Sequence, residues 1–240
     1  MHKIIILILS SSGEIYSQFK YLQTQYLSIF TPQINFFFIE FNEDQIEDVI
    51  EINNTLSFKG SESITPGMII KTSLAINYLK NHDYDFIFRT NLSTVINMHN
   101  LINFINTFNL NQNICSGFSI FGFITGTGII MNKNVAEIIA NNYTQFNYMG
   151  ICEDCIISQM LSHYNIPYIQ PSNNYKWGMI IDTVNEHDKR NYITFYITNN
   201  KYEQFLFDKN VLHFRIKNSD RNIDILFFKD ILEQIYNIKK

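Results

Sequence analysis

Runs of consecutive apolar residues alternate along the chain with segments in which apolar residues recur every three or four positions. Residues 3–9 and 34–41 are such runs, and unbroken apolar runs are typical of parallel strands that are buried on both faces. Between them, Ile15, Phe19 and Leu22 lie at helical spacing. A strand, a helix and a second strand in this order predict a right-handed parallel crossover.

The same alternation predicts further elements downstream. We expect helices over 68–80, 98–108 and 224–238, one after Asn132 or Asn134 and one after Asp154, and strands over 85–88, 129–131, 166–169 and 211–218. Asn97 is a candidate N-cap for the helix over 98–108. The acidic stretch 42–57 predicts a solvated helix or loop.

Composition narrows the class of protein. With 240 residues and a net charge of -4, the chain can form one domain with a full core, and it lacks the basic character of a nucleic-acid binder. The apolar run Ile4 to Leu9 is too short for a signal peptide, and no stretch approaches the ~20 apolar residues that span a bilayer. We therefore expect no membrane segment and a cytoplasmic location.

The three cysteines imply no disulfide framework. Cys152 and Cys155 have the spacing of a metal-binding or redox pair. No second pair and no nearby histidine completes a zinc site, so a structural or incidental role is favoured.

A polar cluster, Arg89-Thr90-Asn91-Leu92-Ser93-Thr94, follows the apolar strand over 85–88. In α/β folds ligands bind at the carboxyl ends of strands, and buried polar groups need partners. The cluster is either the floor of a polar ligand site or a strand end that caps the next helix. Ser10 and Ser11 follow the first strand at a usual nucleotide position, but their loop lacks a glycine fingerprint and is by itself typical of an ordinary connection.

Three other segments have two interpretations each. Thr125-Gly126-Thr127-Gly128 is either a strand that exposes its amides to a ligand or a strand bulge. Glu153 and Asp154 precede an apolar helix, where carboxylates cap the helix or supply a general base, and the sequence alone favours the cap. His213, Arg215 and Lys217 share one strand face, which is either a phosphate-binding row or the solvated face of an edge strand. Lys71, taken alone, is typical of a solvated helical charge.

In their order along residues 3–220, these segments resemble the β-1,3-glycosyltransferase group that includes the Fringe proteins and the β-1,3-galactosyl- and N-acetylglucosaminyltransferases. They look especially like its small divergent members in large DNA viruses and bacteria. The matching motifs, in chain order, are Lys71-Thr72, Arg89-Thr90-Asn91-Leu92-Ser93, Thr125-Gly126-Thr127-Gly128, Glu153-Asp154 and His213-x-Arg215-x-Lys217. Each motif is weak by itself, and their shared order makes the resemblance moderately specific.

The resemblance implies a single-domain α/β protein with a GT-A fold, a mixed and mostly parallel sheet flanked by helices. Residues 1–95 would be the nucleotide-binding half, and residues 96–240 the acceptor half with a closing segment. The implied activity is that of an inverting, hexosyltransferase-like enzyme that moves a sugar from a nucleotide diphosphate sugar, expected to be a UDP-sugar, to a hydroxyl of a glycan or protein. For a viral member, the cytoplasmic location is that of the host.

The resemblance also assigns residues. Asp154 matches the general base, with Glu153 as a helper or helix cap. The positions implied for the donor are Ser10, Ser11, Lys71, Arg89, Asn91, Ser93, Thr127, Gly128, His213, Arg215 and Lys217.

One departure from the family concerns metal. The family binds Mn²⁺ or Mg²⁺ with three consecutive aspartates and a late histidine, whereas this chain has Asn91-Leu92-Ser93. With only Asn91, Ser93 and His213 as candidate ligands, we expect a weak metal site or none, because hard cations prefer carboxylate oxygens. Arg89, Arg215 and Lys217 would then neutralise the diphosphate. The competing interpretations are a non-catalytic nucleotide-sugar-binding protein, a structural protein that keeps the fold and, more remotely, a Rossmann methyltransferase.

Overall fold

The computed structural model describes residues 1–120, 122–146, 151–171, 175–181, 210–218 and 220–238. By their contacts these residues form two compact units, each assembled from separate chain segments. Unit 1 contains Met1–Gly13, Thr31–Leu92 and Phe108–Pro171, and unit 2 contains Glu14–Phe30, Ser93–Thr107 and Ser172–Lys240. The chain therefore passes from unit 1 to unit 2 between Leu92 and Ser93, inside the polar cluster that the sequence singles out.

An eight-stranded sheet forms the centre of unit 1. The strands of the whole chain are β1 (Ile4–Leu9), β2 (Ile34–Asn42), β3 (Val49–Ile52), β4 (Thr55–Lys59), β5 (Phe86–Asn91), β6 (Thr94–Ile96), β7 (Cys115–Ile120), β8 (Phe123–Asn132), β9 (Tyr168–Ile169), β10 (Lys176–Ile181) and β11 (Val211–Lys217). The sheet of unit 1 has the order β3-β4-β2-β1-β5-β8-β7-β9. The pairs β4–β2, β2–β1, β1–β5 and β7–β9 are parallel, and the other three are antiparallel. All six residues of β1 are buried, as its unbroken apolar run predicts.

Six α-helices lie among the described residues: α1 (Glu14–Leu27), α2 (Gly67–Leu79), α3 (Met98–Ile105), α4 (Lys133–Asn142), α5 (Glu153–His163) and α6 (Arg221–Tyr236). The predicted N-cap of α3 is confirmed, because the Asn97 side chain accepts a hydrogen bond from the backbone N–H of Asn100. Asn132 caps α4 in the same way, through Val135. None of the helices in the described part of the chain is long and apolar enough to cross a membrane.

The structure corrects two predicted elements of unit 1. The segment 42–57 is not a solvated helix or loop, because it contains β3 and the start of β4, which pair as an antiparallel hairpin. Asn53 and Asn54 form its two-residue turn with φ of 48° and 60°, the conformation that such a tight turn requires. In addition, β5 continues through Arg89, Thr90 and Asn91, so these polar residues belong to the strand itself.

Unit 2 has a three-stranded sheet in the order β10-β11-β6. β11 is the middle strand, parallel to β10 and antiparallel to β6, so its interpretation as an edge strand is wrong. Helices α1 and α6 belong to the same unit, and the rings of Phe19 and Phe228 pack edge to face between them. Gln23 of α1 donates a hydrogen bond to the carbonyl of Thr94 at 2.7 Å, which fixes the helix to β6.

Candidate functional site

Glu153, the first residue of α5, lies in a closed and charge-balanced contact. Its carboxylate forms an ion pair with Arg89 of β5, and both side chains are only 1% exposed. It also accepts a hydrogen bond of 2.6 Å from the hydroxyl of Thr72. A buried carboxylate with a charged partner and a further donor is stable in the interior. Arg89 is therefore engaged in unit 1, which contradicts the expectation that it neutralises a diphosphate.

Asp154, the next residue, has a different environment. Its side chain is half-buried, and one carboxylate oxygen accepts a hydrogen bond of 3.0 Å from the backbone N–H of Gly126 in β8. The other oxygen accepts from the backbone N–H of Cys155, also at 3.0 Å. These two contacts orient the carboxylate without neutralising it. Of the two adjacent acids, Asp154 is the accessible one, and among the described residues no cationic side chain forms an ion pair with it.

The backbone of Gly126 connects these groups. Its carbonyl accepts hydrogen bonds from Arg89 Nη1 at 2.5 Å and from Asn91 Nδ2 at 2.6 Å, while its N–H binds Asp154. A Cβ atom at this position would lie 3.2 Å from Arg89 Nη1 and 3.5 Å from the Asp154 carboxylate. Glycine therefore permits this close approach. The sequence points to the Thr-Gly-Thr-Gly segment, but Gly126 itself is not among the residues it assigns.

Thr127 and Gly128, which the sequence does assign, follow in β8. The carbonyl of Thr127 accepts a hydrogen bond of 3.1 Å from the hydroxyl of Thr90. The hydroxyls of Thr125 and Thr127 lie 2.8 Å apart. Gly128 pairs with Thr90 in the antiparallel ladder between β5 and β8. The structure thus brings the ends of two predicted motifs together with Asp154.

Lys71 is buried in α2, so the prediction of a solvated charge is wrong. Its ammonium pairs with Glu62 at 2.7 Å and donates to the carbonyl of Ser10 at 2.8 Å. Burial lowers the pKa of Lys71, and the Glu62 carboxylate opposes that shift. Glu62 also accepts a hydrogen bond from the backbone N–H of Phe41. Lys71 thereby fixes the carboxyl end of β1, where Ser10 is buried and Ser11 is partly exposed.

A second charged group lies in unit 2, and we call Ser93, Arg215, Arg221 and Asp224 the arginine cluster. The hydroxyl of Ser93 accepts hydrogen bonds from Arg215 Nη1 at 2.5 Å and Arg221 Nη1 at 3.4 Å, and donates to the carbonyl of Ile216 at 2.9 Å. Arg221 also pairs with the fully buried Asp224 at 2.6 Å. Sequence reasoning misses Arg221 and Asp224, whose spacing of three residues is typical of any helix start.

The basic row of β11 does not share one environment. His213 is fully buried, Arg215 is partly buried and Lys217 is exposed. Burial, followed by the charge of Arg221, lowers the pKa of Arg215 to about 10, and Asp224 acts in the opposite direction. β11 is a middle strand, and Lys217 at its carboxyl end is the one residue of the row that is exposed to solvent.

The residues at the family's metal position do not fit a divalent cation. The Asn91 amide nitrogen donates to a carbonyl, and the Ser93 hydroxyl accepts from two guanidinium groups. A metal ion bound to Ser93 would lie beside two positive charges. Within the described residues, the only group of three close His, Cys, Asp or Glu ligand atoms is Cys152, Asp154 and Cys155, within 4.8 Å of one another. The two cysteine sulfurs are free thiols 3.1 Å apart.

Comparison with known proteins gives one kind of match. No protein-family model matches the chain, and no curated protein matches it in sequence. The fold is similar to that of a solved glycosyltransferase involved in the glycosylation of the major capsid of PBCV-1, with a TM-score of 0.56 and 15% identity over 95% of this chain and 99% of that chain. At this identity the likeness shows the fold alone. The predicted fold class, a mixed and mostly parallel sheet with helices of the GT-A type, is confirmed; the Fringe-like subgroup and the assignment of roles to residues 1–95 and 96–240 stay predictions.

Proposed function

We propose that this protein is an inverting glycosyltransferase that moves a sugar from a nucleotide diphosphate sugar, with UDP as the expected nucleotide, to a hydroxyl of a glycan or protein. The observation that supports this most strongly is the separation of two adjacent acids. Glu153 is neutralised by Arg89, while Asp154 is oriented by Gly126 and stays accessible. In a fold shared with a glycosyltransferase, such a carboxylate suits a general base.

In the proposed reaction, Asp154 takes the proton from the acceptor hydroxyl as the acceptor oxygen attacks the anomeric carbon. The bond from that carbon to the diphosphate oxygen breaks, and its electron pair leaves with the diphosphate. Direct displacement from the opposite face inverts the anomeric centre. Glu153 cannot serve as this base, because its carboxylate is buried and already bound by Arg89 and Thr72. Its role is to fix the first turn of α5 against β5.

The other candidate residues have different proposed roles. We propose that Ser10, Ser11 and Asn91 contact the nucleotide, and that Thr127 and Gly128 lie beside the donor and acceptor sugars. Lys71 acts indirectly, because its ammonium is buried against Glu62 and holds the carbonyl of Ser10. The diphosphate is assigned to the basic residues of unit 2, Arg215 and Lys217, with Ser93 and the buried His213 supporting them. No step uses a metal ion, since the residues at that position do not fit one.

The test is a nucleotide-release assay with a panel of nucleotide sugars and acceptors, comparing Asp154→Asn with Asp83→Asn. Losing a general base costs roughly 10²- to 10⁴-fold in rate. Asp83 offers a matched control, because its exposed carboxylate contacts only the exposed Lys3 among the described residues. We expect the first variant to lose transfer and the second to keep it.

Three outcomes would overturn the proposal. Full transfer by Asp154→Asn would remove Asp154 from the chemistry. Thermal unfolding with the same nucleotide sugars gives the other two outcomes. If a nucleotide sugar raises the melting temperature but no member of the panel is turned over, the protein is a non-catalytic binding protein instead. No melting shift with any nucleotide sugar would identify a structural protein that keeps the fold.

A further inference from the structure

The arginine cluster of unit 2 has more positive than negative charge. It contains two guanidinium groups, Arg215 and Arg221, and one carboxylate, Asp224. One oxygen of Asp224 binds Arg221, and the other accepts two hydrogen bonds from Asn218, at 2.9 Å from the backbone N–H and 2.8 Å from the side chain. Both carboxylate oxygens of Asp224 therefore have partners. The cluster retains about one positive charge that no carboxylate compensates.

That charge resides on Arg215. Within the described part of the chain, its guanidinium has no carboxylate partner and contacts the neutral hydroxyl of Ser93. The group is partly buried, and burial together with the neighbouring Arg221 lowers its pKa to about 10, so it is still a cation at neutral pH. A desolvated cation without a counter-ion is unfavourable. An anionic ligand would supply the missing charge.

The geometry selects the kind of anion. Nη1 of Arg215 and Nη1 of Arg221 both lie within hydrogen-bond reach of one oxygen atom, Ser93 Oγ, at 2.5 and 3.4 Å. Two planar guanidinium groups that converge on one point offer several N–H donors to one tetrahedral anion. Ser93 Oγ donates its own proton to the carbonyl of Ile216, which leaves its lone pairs directed at the arginines. A phosphoryl group, which carries several oxygen acceptors on one phosphorus atom, suits such a donor set.

We infer that Ser93, Arg215 and Arg221 form a phosphate-binding site that holds the diphosphate of the donor without a divalent metal. Asp224 is a positioning residue, because it holds Arg221 and does not itself face the anion. The identification of the ligand as a nucleotide diphosphate rests on the proposed function, whereas phosphate binding rests on the cluster alone. Arg221 has no counterpart among the motifs that the sequence shares with the metal-dependent family.

Calorimetric titration of the full chain with pyrophosphate and with UDP, both in EDTA, tests this site. The variants are Arg215→Gln and Arg221→Gln, and the matched control is Lys229→Gln, which removes one positive charge from the same helix but outside the cluster. We expect both arginine variants to weaken each ligand at least about tenfold, a difference of about 1.4 kcal/mol. The control should change either dissociation constant less than about twofold. Arg221→Lys keeps the positive charge but loses the paired N–H donors of the guanidinium group, so its dissociation constants should be intermediate.

Several results would overturn the inference. Unchanged affinity in the arginine variants would remove the site, as would binding of pyrophosphate only when Mn²⁺ is added. Weaker binding of pyrophosphate together with unchanged binding of UDP would show that the site does not bind the diphosphate of the donor. The two proposals fail separately, because pyrophosphate binding is measured without any transfer. Binding without any transfer refutes the function alone, and transfer unaffected by Arg221→Gln refutes the site alone.

Discussion

Each unit contains one group of arginine and carboxylate side chains, and the two groups differ in burial and in charge balance. In unit 1, Arg89 faces Glu153, and each side chain is 1% exposed. In unit 2, Arg215 and Arg221 share Asp224, which leaves one cation without a carboxylate among the described residues. A balanced pair needs no further partner and fixes structure, whereas a partly buried surplus charge is stabilised by an anionic ligand.

The contrast separates residues that the sequence treats alike. Arg89 and Arg215 both follow apolar strand residues, and from the sequence both are expected to neutralise the diphosphate. Their partners show that Arg89 orients α5 and, through Gly126, the neighbourhood of Asp154. Arg215 instead points its charge at a hydroxyl that a second arginine also binds. The same argument divides Glu153, which closes a pair, from Asp154, which does not.

The largest expected effect comes from breaking the balanced pair. Glu153→Gln leaves Arg89 charged and buried without its carboxylate, so we expect a loss of about 3–5 kcal/mol in the free energy of unfolding. Urea denaturation of the purified chain measures it. The double variant Arg89→Met/Glu153→Leu should recover most of that loss, because an apolar pair has no uncompensated charge. A single-variant loss below about 1 kcal/mol would mean that the pair is not essential to unit 1.

A smaller effect is expected from Asp224→Asn in the unbalanced cluster. Asp224 is fully buried, but its partner Arg221 is 38% exposed, so the loss of their ion pair should cost only about 1–3 kcal/mol. Pyrophosphate can replace the lost negative charge beside Arg215 and Arg221, so its binding should restore part of the stability of Asp224→Asn. Pyrophosphate should not rescue Glu153→Gln, whose charge is enclosed in unit 1. Equal rescue of the two variants, measured by melting in EDTA, would contradict the distinction between the clusters.

Most of the secondary structure follows from local pattern. The unbroken apolar runs of β1 and β2 and the caps Asn97 and Asn132 are visible in the sequence and are confirmed. The hairpin of β3 and β4 is missed because the acidic residues that precede it, between Glu43 and Asp48, set the character of the segment 42–57, and in β4 only Leu56 and Phe58 are buried. Its stability comes from pairing with β2, a partner that the local pattern does not contain.

The candidate site is predictable in residue type but not in charge balance. The motifs point to Glu153, Asp154, Arg89 and Arg215 as candidates. The role of each residue depends on contacts between distant segments. One example is the contact between Arg89 and Glu153, which lie 64 residues apart in the sequence. Arg221 and Asp224 are missed because a basic and an acidic residue three apart at a helix start are ordinary. Only the contact with Ser93, 128 residues from Arg221, distinguishes them.

The smallest effect concerns Asp154, the accessible acid of unit 1, and is read through a neighbouring thiol. Burial, then hydrogen bonding with Asp154 and with Cys155, raises the pKa of Cys152 to about 12. Asp154→Asn removes a negative charge beside the thiol, so the pKa of Cys152 should fall and its alkylation by iodoacetamide at pH 8 should speed up. Each unit of that fall should raise the rate about threefold, because the thiolate fraction rises tenfold while its nucleophilicity declines.

Peptide mapping by mass spectrometry assigns the modified cysteine in this experiment. Cys115 should stay unmodified, because it is buried and burial raises its pKa to about 12. Asp83→Asn, distant from any cysteine in the sequence, is the control for removal of a surface carboxylate. An unchanged or slower alkylation of Cys152 in Asp154→Asn would mean that the carboxylate is not a charged neighbour of the thiol. The case for Asp154 as the charged, accessible acid of unit 1, and with it the contrast to Glu153, would then fail.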